Sequence, residues 1–269
     1  MPYILNYIII SYDTMIFAMI QARMGSSRLP GKVMKNVVGK PLLQHIVERL
    51  NFCDNIDKII VITSQENENQ PIVHLCDELN VSCFSGNEND VLDRYYQAAK
   101  NFNLKDNDSI VRITADCPLI DPEIVDSVIL EHIKGDYDYT TNTIVRTYPD
   151  GLDCEVFKVS ILNEMWEKAK LKSEREHVTL FIKNNQNDYY CGNVESKIDN
   201  SSLRWTVDEK EDFMLISKIY ECLYDENNIF LMNDILDLFE SHPSLLNINN
   251  MYESNEGLKK SLENDEIIR

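Results

Sequence analysis

In the first half of the chain, short apolar runs of strand length alternate with amphipathic stretches of helix length, and no other feature narrows the fold so far. Parallel strands need long crossovers and helices over both faces, so the alternation predicts an α/β domain on a mostly parallel sheet. Ile16 to Gln21 (IFAMIQ) reads as the first strand, followed by a loop of Gly, Ser and Pro. Pro41 suits a helix's first turn, with Leu42, Leu43, Ile46, Val47 and Leu50 on one face. Lys58 to Thr63 and Val81 to Phe84 read as the next strands, separated by helical spacing at Ile72, Val73, Leu75, Cys76 and Leu79. Asp90 to Phe102 is helical, and Ser109 to Ile113 is a fourth strand. Asp121 and Pro122 supply a cap and first turn for a helix carrying Ile124, Val125, Val128 and Ile129.

Beyond Gly135 the regularity falls. Asp136 to Asn142 and Asp153 to Phe157 are strand-like, with a Tyr-Pro-Asp-Gly turn between them. Helical stretches follow at Ser160 to Lys170 and Glu174 to Lys183, then strand-like runs at Tyr189 to Val194 and Leu203 to Thr206. Glu209 to Tyr224 is a strong amphipathic helix, and Ile229 to Leu246 is helical in pieces broken before Pro243. Tyr3 to Tyr12 is apolar, but it has no basic residue, includes Asn6 and is too short to span a bilayer, so neither a signal peptide nor a membrane helix fits. The expected division is an extension over 1–14, one large domain over 15–252 and a loose polar tail over 253–269.

Charge limits the partners. The 45 acidic residues outweigh 26 basic ones, and a net charge of −19 repels nucleic acid and anionic membranes. A phosphate-bearing ligand must then be met by a local basic cluster or a metal. The seven cysteines are odd in number and show no CxxC or His/Cys ligand spacing, which gives no support to a disulfide framework or structural zinc and points to the cytoplasm.

Such a basic cluster follows the first strand directly, in Gln21 to Lys32 (QARMGSSRLPGK). Gly25, Ser26, Ser27 and Gly31 let backbone N–H groups approach an anion, and Arg23, Arg28 and Lys32 add charge. The spacing is neither a Walker A motif nor GxGxxG, and a solvated basic loop is the competing reading. Arg112 to Pro118 (RITADCP) places Asp116 at the carboxyl end of the fourth strand, where open α/β sheets gather ligands. A carboxylate there suits a hard divalent cation on a polyphosphate, or caps a turn. Asp208, in Trp205 to Glu209 (WTVDE), invites the same two readings. Arg175-Glu176-His177 fits a charged helix face or a substrate contact. No nucleophile triad is suggested.

Taken together, QARMGSSRLPGK, VLDRYYQAAK (Val91 to Lys100), VRITADCPLIDP (Val111 to Pro122), RTYPDGLDCEVF (Arg146 to Phe157), SEREHVT (Ser173 to Thr179) and LRWTVDEKEDF (Leu203 to Phe213) resemble one family. It is the cytidylyltransferases of the spore-coat polysaccharide biosynthesis protein F type, related to the acylneuraminate and 3-deoxy-manno-octulosonate cytidylyltransferases. The resemblance runs from about Met15 to Tyr252; Ala115 stands where Gly is frequent. It implies a three-layer Rossmann-like nucleotide-diphospho-sugar transferase fold with a small strand-containing dimerisation insertion, and a homodimer.

The resemblance further implies attack on the α-phosphate of CTP by a sugar or sugar-like acid, with loss of pyrophosphate. It puts the CTP phosphates on Arg23, Ser26, Arg28 and Lys32, with Gly25 and Arg112 also in the nucleotide site, and the nucleoside against Ala22, Thr63, Ser85 and Gly86. Mg²⁺ falls to Asp116 and Asp208, so that Arg23, Lys32, Asp116 and Asp208 carry catalysis. Arg146, Asp150, Asp153, Glu155, Arg175, Glu176 and His177 line the acceptor pocket, His177 being a candidate base. A glycosyltransferase using a preformed nucleotide sugar and a catalytically silent nucleotide-binding subunit are the competing functions.

Overall fold

The computed structural model describes residues 14–252 and 256–268, so the expected N-terminal extension lies, but for Thr14, outside the described residues. A seven-stranded sheet is formed by β1 (Ile16–Gln21), β4 (Lys58–Ser64), β5 (Ser82–Gly86), β6 (Ser109–Thr114), β7 (Tyr139–Thr141), β8 (Glu155–Lys158) and β9 (Cys191–Asn193), in the order β5-β4-β1-β6-β8-β7-β9. A two-stranded ribbon, β2 (Asn36–Val37) with β3 (Lys40–Pro41), leads into helix α1 (Leu42–Leu50).

Strand β1 pairs in parallel with β4 and β6, and β4 with β5. Ala18 and Ile20 of β1 enter a core shared with α1, α2 (Gln70–Glu78) and α4 (Pro122–Gly135). Phe17 and Met19 enter a second core with α3 (Val91–Asn101) and α5 (Val159–Lys168) on the other face. Burial of both faces explains why β1 reads as an unbroken apolar run. Asp121 caps α4 as expected, accepting from the backbone N–H groups of Glu123 and Ile124.

The irregular middle continues this sheet: β8 pairs antiparallel with β6 and β7, and β9 lies parallel to β7. These strands therefore have partners in the central sheet, which removes unpaired strands as a reason for a dimerisation insertion. The stretch expected as one helix over Glu174 to Lys183 is two, α6 (Lys172–Glu176) and α7 (Leu180–Asn184), interrupted where Val178 adopts a φ of 52°. The expected strand Leu203 to Thr206 does not form; a single bridge joins Arg204 to Asp150. Trp205 is instead buried in a third core with Val207, α8 (Lys210–Leu223) and α9 (Met232–Ser241), where packing outweighs strand pairing.

The expected loose tail is also corrected. Helix α10 (Glu256–Glu263) and the residues after it dock on α6, with Ile267 bridged to Leu171 and the Lys172 N–H donating to the Glu266 carbonyl at 2.9 Å. Asp265 accepts from the Ser173 backbone and hydroxyl at 2.9 and 2.6 Å. These anchors are polar or main-chain, and the segment around them is short and mostly polar, so it reads as a tail although Leu258 and Leu262 stand at helical spacing. No helix among the described residues is long and apolar enough to cross a membrane. All seven cysteines are free thiols.

Candidate active site

The carboxyl ends of β1 and β6 and the start of β8 open into a cleft of about 600 Å³. Its floor begins with the loop after β1. The Ala22 N–H donates to the Ile62 carbonyl at 3.0 Å, and the Met24 N–H to Asn69 Oδ1 at 2.7 Å, so the loop is tied to β4 and the start of α2. Gly31 turns with a φ of 66°, a conformation cheap only for glycine, and delivers Lys32 into the cleft.

Lys32 joins the two expected acidic residues. Its Nζ donates to Asp116 Oδ2 at 3.0 Å, to Asp208 Oδ1 at 2.8 Å and to the Val207 carbonyl at 2.8 Å. Asp208 reaches this position without a strand of its own. The Val207 N–H donates to the Asp116 carbonyl at 2.8 Å and ties the two segments together. Gly151 lets Trp205 and Thr206 come close, since a Cβ there would lie 2.5 Å from the Trp205 carbonyl carbon. Asp212, fully buried, accepts from the N–H groups of Asp208 and Glu209 and from Arg204. Arg28 pairs with Asp208 at 3.0 Å and Glu209 at 3.2 Å.

Burial works against the Lys32 charge, but Asp116 and Asp208 outweigh it and raise the pKa. Burial likewise opposes ionisation of Asp116, yet the Lys32 ammonium and the Thr114 hydroxyl bring its pKa down to about 2. Two hard carboxylates thus converge on one cation at the sheet's edge. Among the described residues no third His, Cys, Asp or Glu joins them, so further oxygens for a metal would have to come from a backbone carbonyl such as that of Val207, a ligand or water.

Around the β8 side, Arg146 grips Asp153 through two bonds of 2.6 and 2.7 Å. Glu155, buried, accepts from Arg112, from Tyr139 at 2.6 Å and Thr179 at 2.7 Å, and pairs with Lys183 at 2.8 Å. Burial pushes its pKa up, but Lys183 and Arg112 prevail and hold it well below the ordinary carboxylate value. His177 Nε2 lies 2.9 Å from the Ser261 hydroxyl, which donates to Glu176 at 3.0 Å, so α10 closes this end and adds Gly257 and Leu258 to the wall. Burial lowers the His177 pKa.

Of the expected site residues, Ala22, Arg23, Gly25, Ser26, Arg28, Lys32, Arg112, Asp116, Arg146, Asp150, Asp153, Glu155, Glu176, His177 and Asp208 all line this one cleft. Thr63, Ser85, Gly86 and Arg175 do not. The strand pleat turns Thr63 to the core side of Val61, where it is fully buried. Glu88, Val91 and Arg94 line the wall beyond Ser85 and Gly86 instead. Arg175 is 2 % exposed and pairs with Asp90 at 2.6 Å, pinning α6 to the start of α3. Arg23 extends toward Glu88 at 3.1 Å.

Sequence reasoning passed over Arg204, Lys183 and the α10 residues. Arg204 alone left a signal, standing four and eight positions before Asp208 and Asp212, both of which it pairs with. The cleft brings eight Lys or Arg against seven Asp or Glu, a local balance within a chain carrying 26 against 45, and it suits a polyanion met by a small basic loop.

Comparison with known proteins places the chain in a family. The chain is 37% identical over 237 residues to an uncharacterized protein of Methanocaldococcus jannaschii, covering 87% of this chain and 94% of that one. It is 32% identical over 213 residues to the spore coat polysaccharide biosynthesis protein SpsF of Bacillus subtilis, covering 77% and 86%. The structure of a cytidylyltransferase from Leptospira borgpetersenii superposes with a TM-score of 0.81 at 31% identity, covering 87% of this chain and 97% of that one. The cytidylyltransferase family model matches residues 17–263, past Tyr252 and through α10. On that match and that relationship the chain belongs to the cytidylyltransferase family.

Proposed function

We propose that this enzyme transfers CMP from CTP to a sugar or sugar-like acid, releasing pyrophosphate, and so makes an activated precursor for a surface polysaccharide. The observation that carries the reading is the convergence of Lys32, Asp116 and Asp208 beside the basic loop after β1. The relatives' names supply CTP chemistry and the polysaccharide context.

A triphosphate repels an incoming nucleophile, so catalysis consists of neutralising charge, fixing in-line geometry and stabilising the departing pyrophosphate. Arg23, Arg28 and Lys32, all on the first loop, suit the phosphates, with the backbone of Gly25 and Ser26 beside them. Asp116 and Asp208 would hold Mg²⁺, which when bound polarises phosphate oxygens and neutralises their charge. The acceptor enters from the β8 side. There Arg146, Asp150 and Asp153 present fixed donors and acceptors for hydroxyl and carboxylate groups, and α10 restricts access of water. No protein nucleophile is needed.

The test is pyrophosphate release from CTP and Mg²⁺ with a panel of acidic and phosphorylated sugars. CTP should outperform ATP and GTP, and no preformed nucleotide sugar should be consumed. Absence of pyrophosphate with every acceptor, or equal turnover of ATP, would refute the reading.

A further inference from the structure

Lys32 has no hydrogen left to give. An ammonium carries three N–H groups, and here they go to Asp116, Asp208 and the Val207 carbonyl, all within 3.0 Å. The side chain is only 12% exposed, and its backbone is fixed by the Gly31 turn on one side and the buried Val33 on the other. The pair of carboxylates suited to a divalent ion is therefore already bridged by a cation of the chain itself.

A free divalent ion arriving at this pair meets Asp208 oxygens shared among Lys32, Arg28 and Arg204, and an Asp116 carboxylate whose cationic partner is Lys32, the one cation that touches both. A polyphosphate arriving alone meets two carboxylates. When both arrive together, phosphate oxygens accept the three Lys32 N–H groups while the ion takes the released carboxylates, and every charge keeps a partner. The stem of Lys32 is flexible, so its head can make the exchange while its backbone stays in place.

We propose that Lys32 bars free divalent cations from the Asp116–Asp208 pair, so that metal and nucleotide enter this site together and each strengthens the binding of the other. The proposal rests on the reading of that pair as the metal site. It concerns binding order, which is measured without turnover.

The experiment titrates the full chain with Mn²⁺ alone, following free Mn²⁺ by electron paramagnetic resonance. The wild type should bind weakly. Lys32→Met, which keeps the stem and removes the charge, should bind Mn²⁺ at least about tenfold more tightly, and adding Asp116→Asn should abolish the gain. Lys32→Gln replaces the Met variant if melting shows that it does not fold. Wild-type protein supplies an independent measurement, because Mn·CTP should bind at least about tenfold more tightly than CTP without metal. Wild-type affinity for Mn²⁺ equal to that of the variant, or CTP affinity indifferent to metal, would overturn the proposal. Either result alongside normal pyrophosphate release would leave the enzymatic reading intact, and absence of pyrophosphate release would leave the Mn²⁺ result standing.

Discussion

Replacing Glu155 with Gln tests whether this residue is a substrate contact or a structural hub. Glu155 is 3% exposed, with Tyr139, Thr179 and Lys183 on Oε1 and Arg112 on Oε2. Gln has the same shape, but its NH₂ must face one of these two sets. Set against Arg112, it puts donor against donor beside a buried guanidinium. Reversed, it faces Lys183; the Tyr139 and Thr179 hydroxyls can turn to accept, and Lys183, 35% exposed, can withdraw into water. That cheaper arrangement still leaves the Arg112 charge with a neutral carbonyl in place of a carboxylate. The cost is about 3 kcal/mol, the low end for breaking a buried ion pair. For a chain of this size it lowers the melting temperature by roughly 6 to 12 °C.

The pH dependence of the same variant has a defined sign. Glu155 has a folded pKa below its ordinary 4.5, so its stabilisation is complete above the unfolded value and is lost as pH falls through the folded one. The gap in melting temperature between wild type and Glu155→Gln should be full at pH 7 and narrow below about pH 4.5. Calorimetry across that range measures it. A Gln variant melting within about 2 °C of wild type at pH 7, with a raised KM for the acceptor, would refute the hub and return Glu155 to the pocket as a substrate contact.

Asp116→Asn should cut pyrophosphate release about a thousandfold, as expected for losing a metal-held stabilisation of transition-state charge, with a smaller fall in melting temperature than Glu155→Gln because Lys32 keeps Asp208 and the Val207 carbonyl. Asp208→Asn should do the same, and the double variant should fall far short of the product of the two effects, as kinetics on all three will show. Asp212→Asn should destabilise the fold by about 3 kcal/mol in chemical denaturation, because it takes from the buried Arg204 the nearest of its carboxylates and loosens the Asp208 backbone, while Asp208 and Asp150 still face the guanidinium. Ending the chain after Tyr252 removes Gly257 and Leu258 from the cleft wall and should raise the acceptor KM while leaving the KM for CTP unchanged in steady-state assays.

Local sequence pattern carries the α/β class, the order of the eight alternating strands and helices from β1 to α4, and the basic loop after β1. These rest on signals confined to a few neighbouring residues: apolar runs buried on both faces, the Asp121-Pro122 start of α4, and glycines between cations after β1. The family's segments in their order carried the rest of the site, and fifteen of the expected residues line one cleft. Tertiary structure decided what depends on distant partners. Arg175 and Glu176 are adjacent in sequence, yet Arg175 is consumed by Asp90 while Glu176 reaches the cleft wall. Glu155 reads as a pocket carboxylate until Arg112 of β6, Tyr139 of β7, and Thr179 and Lys183 at the two ends of α7 arrive from three separate segments to bury it. Trp205 lost its strand to a core built by α8 and α9, and α10 returns across the chain to dock through polar and main-chain bonds to distant residues. Local pattern records which face of an element is apolar; which charge meets which is settled only when the fold brings Asp116 and Asp208 each within 3.0 Å of the Lys32 Nζ.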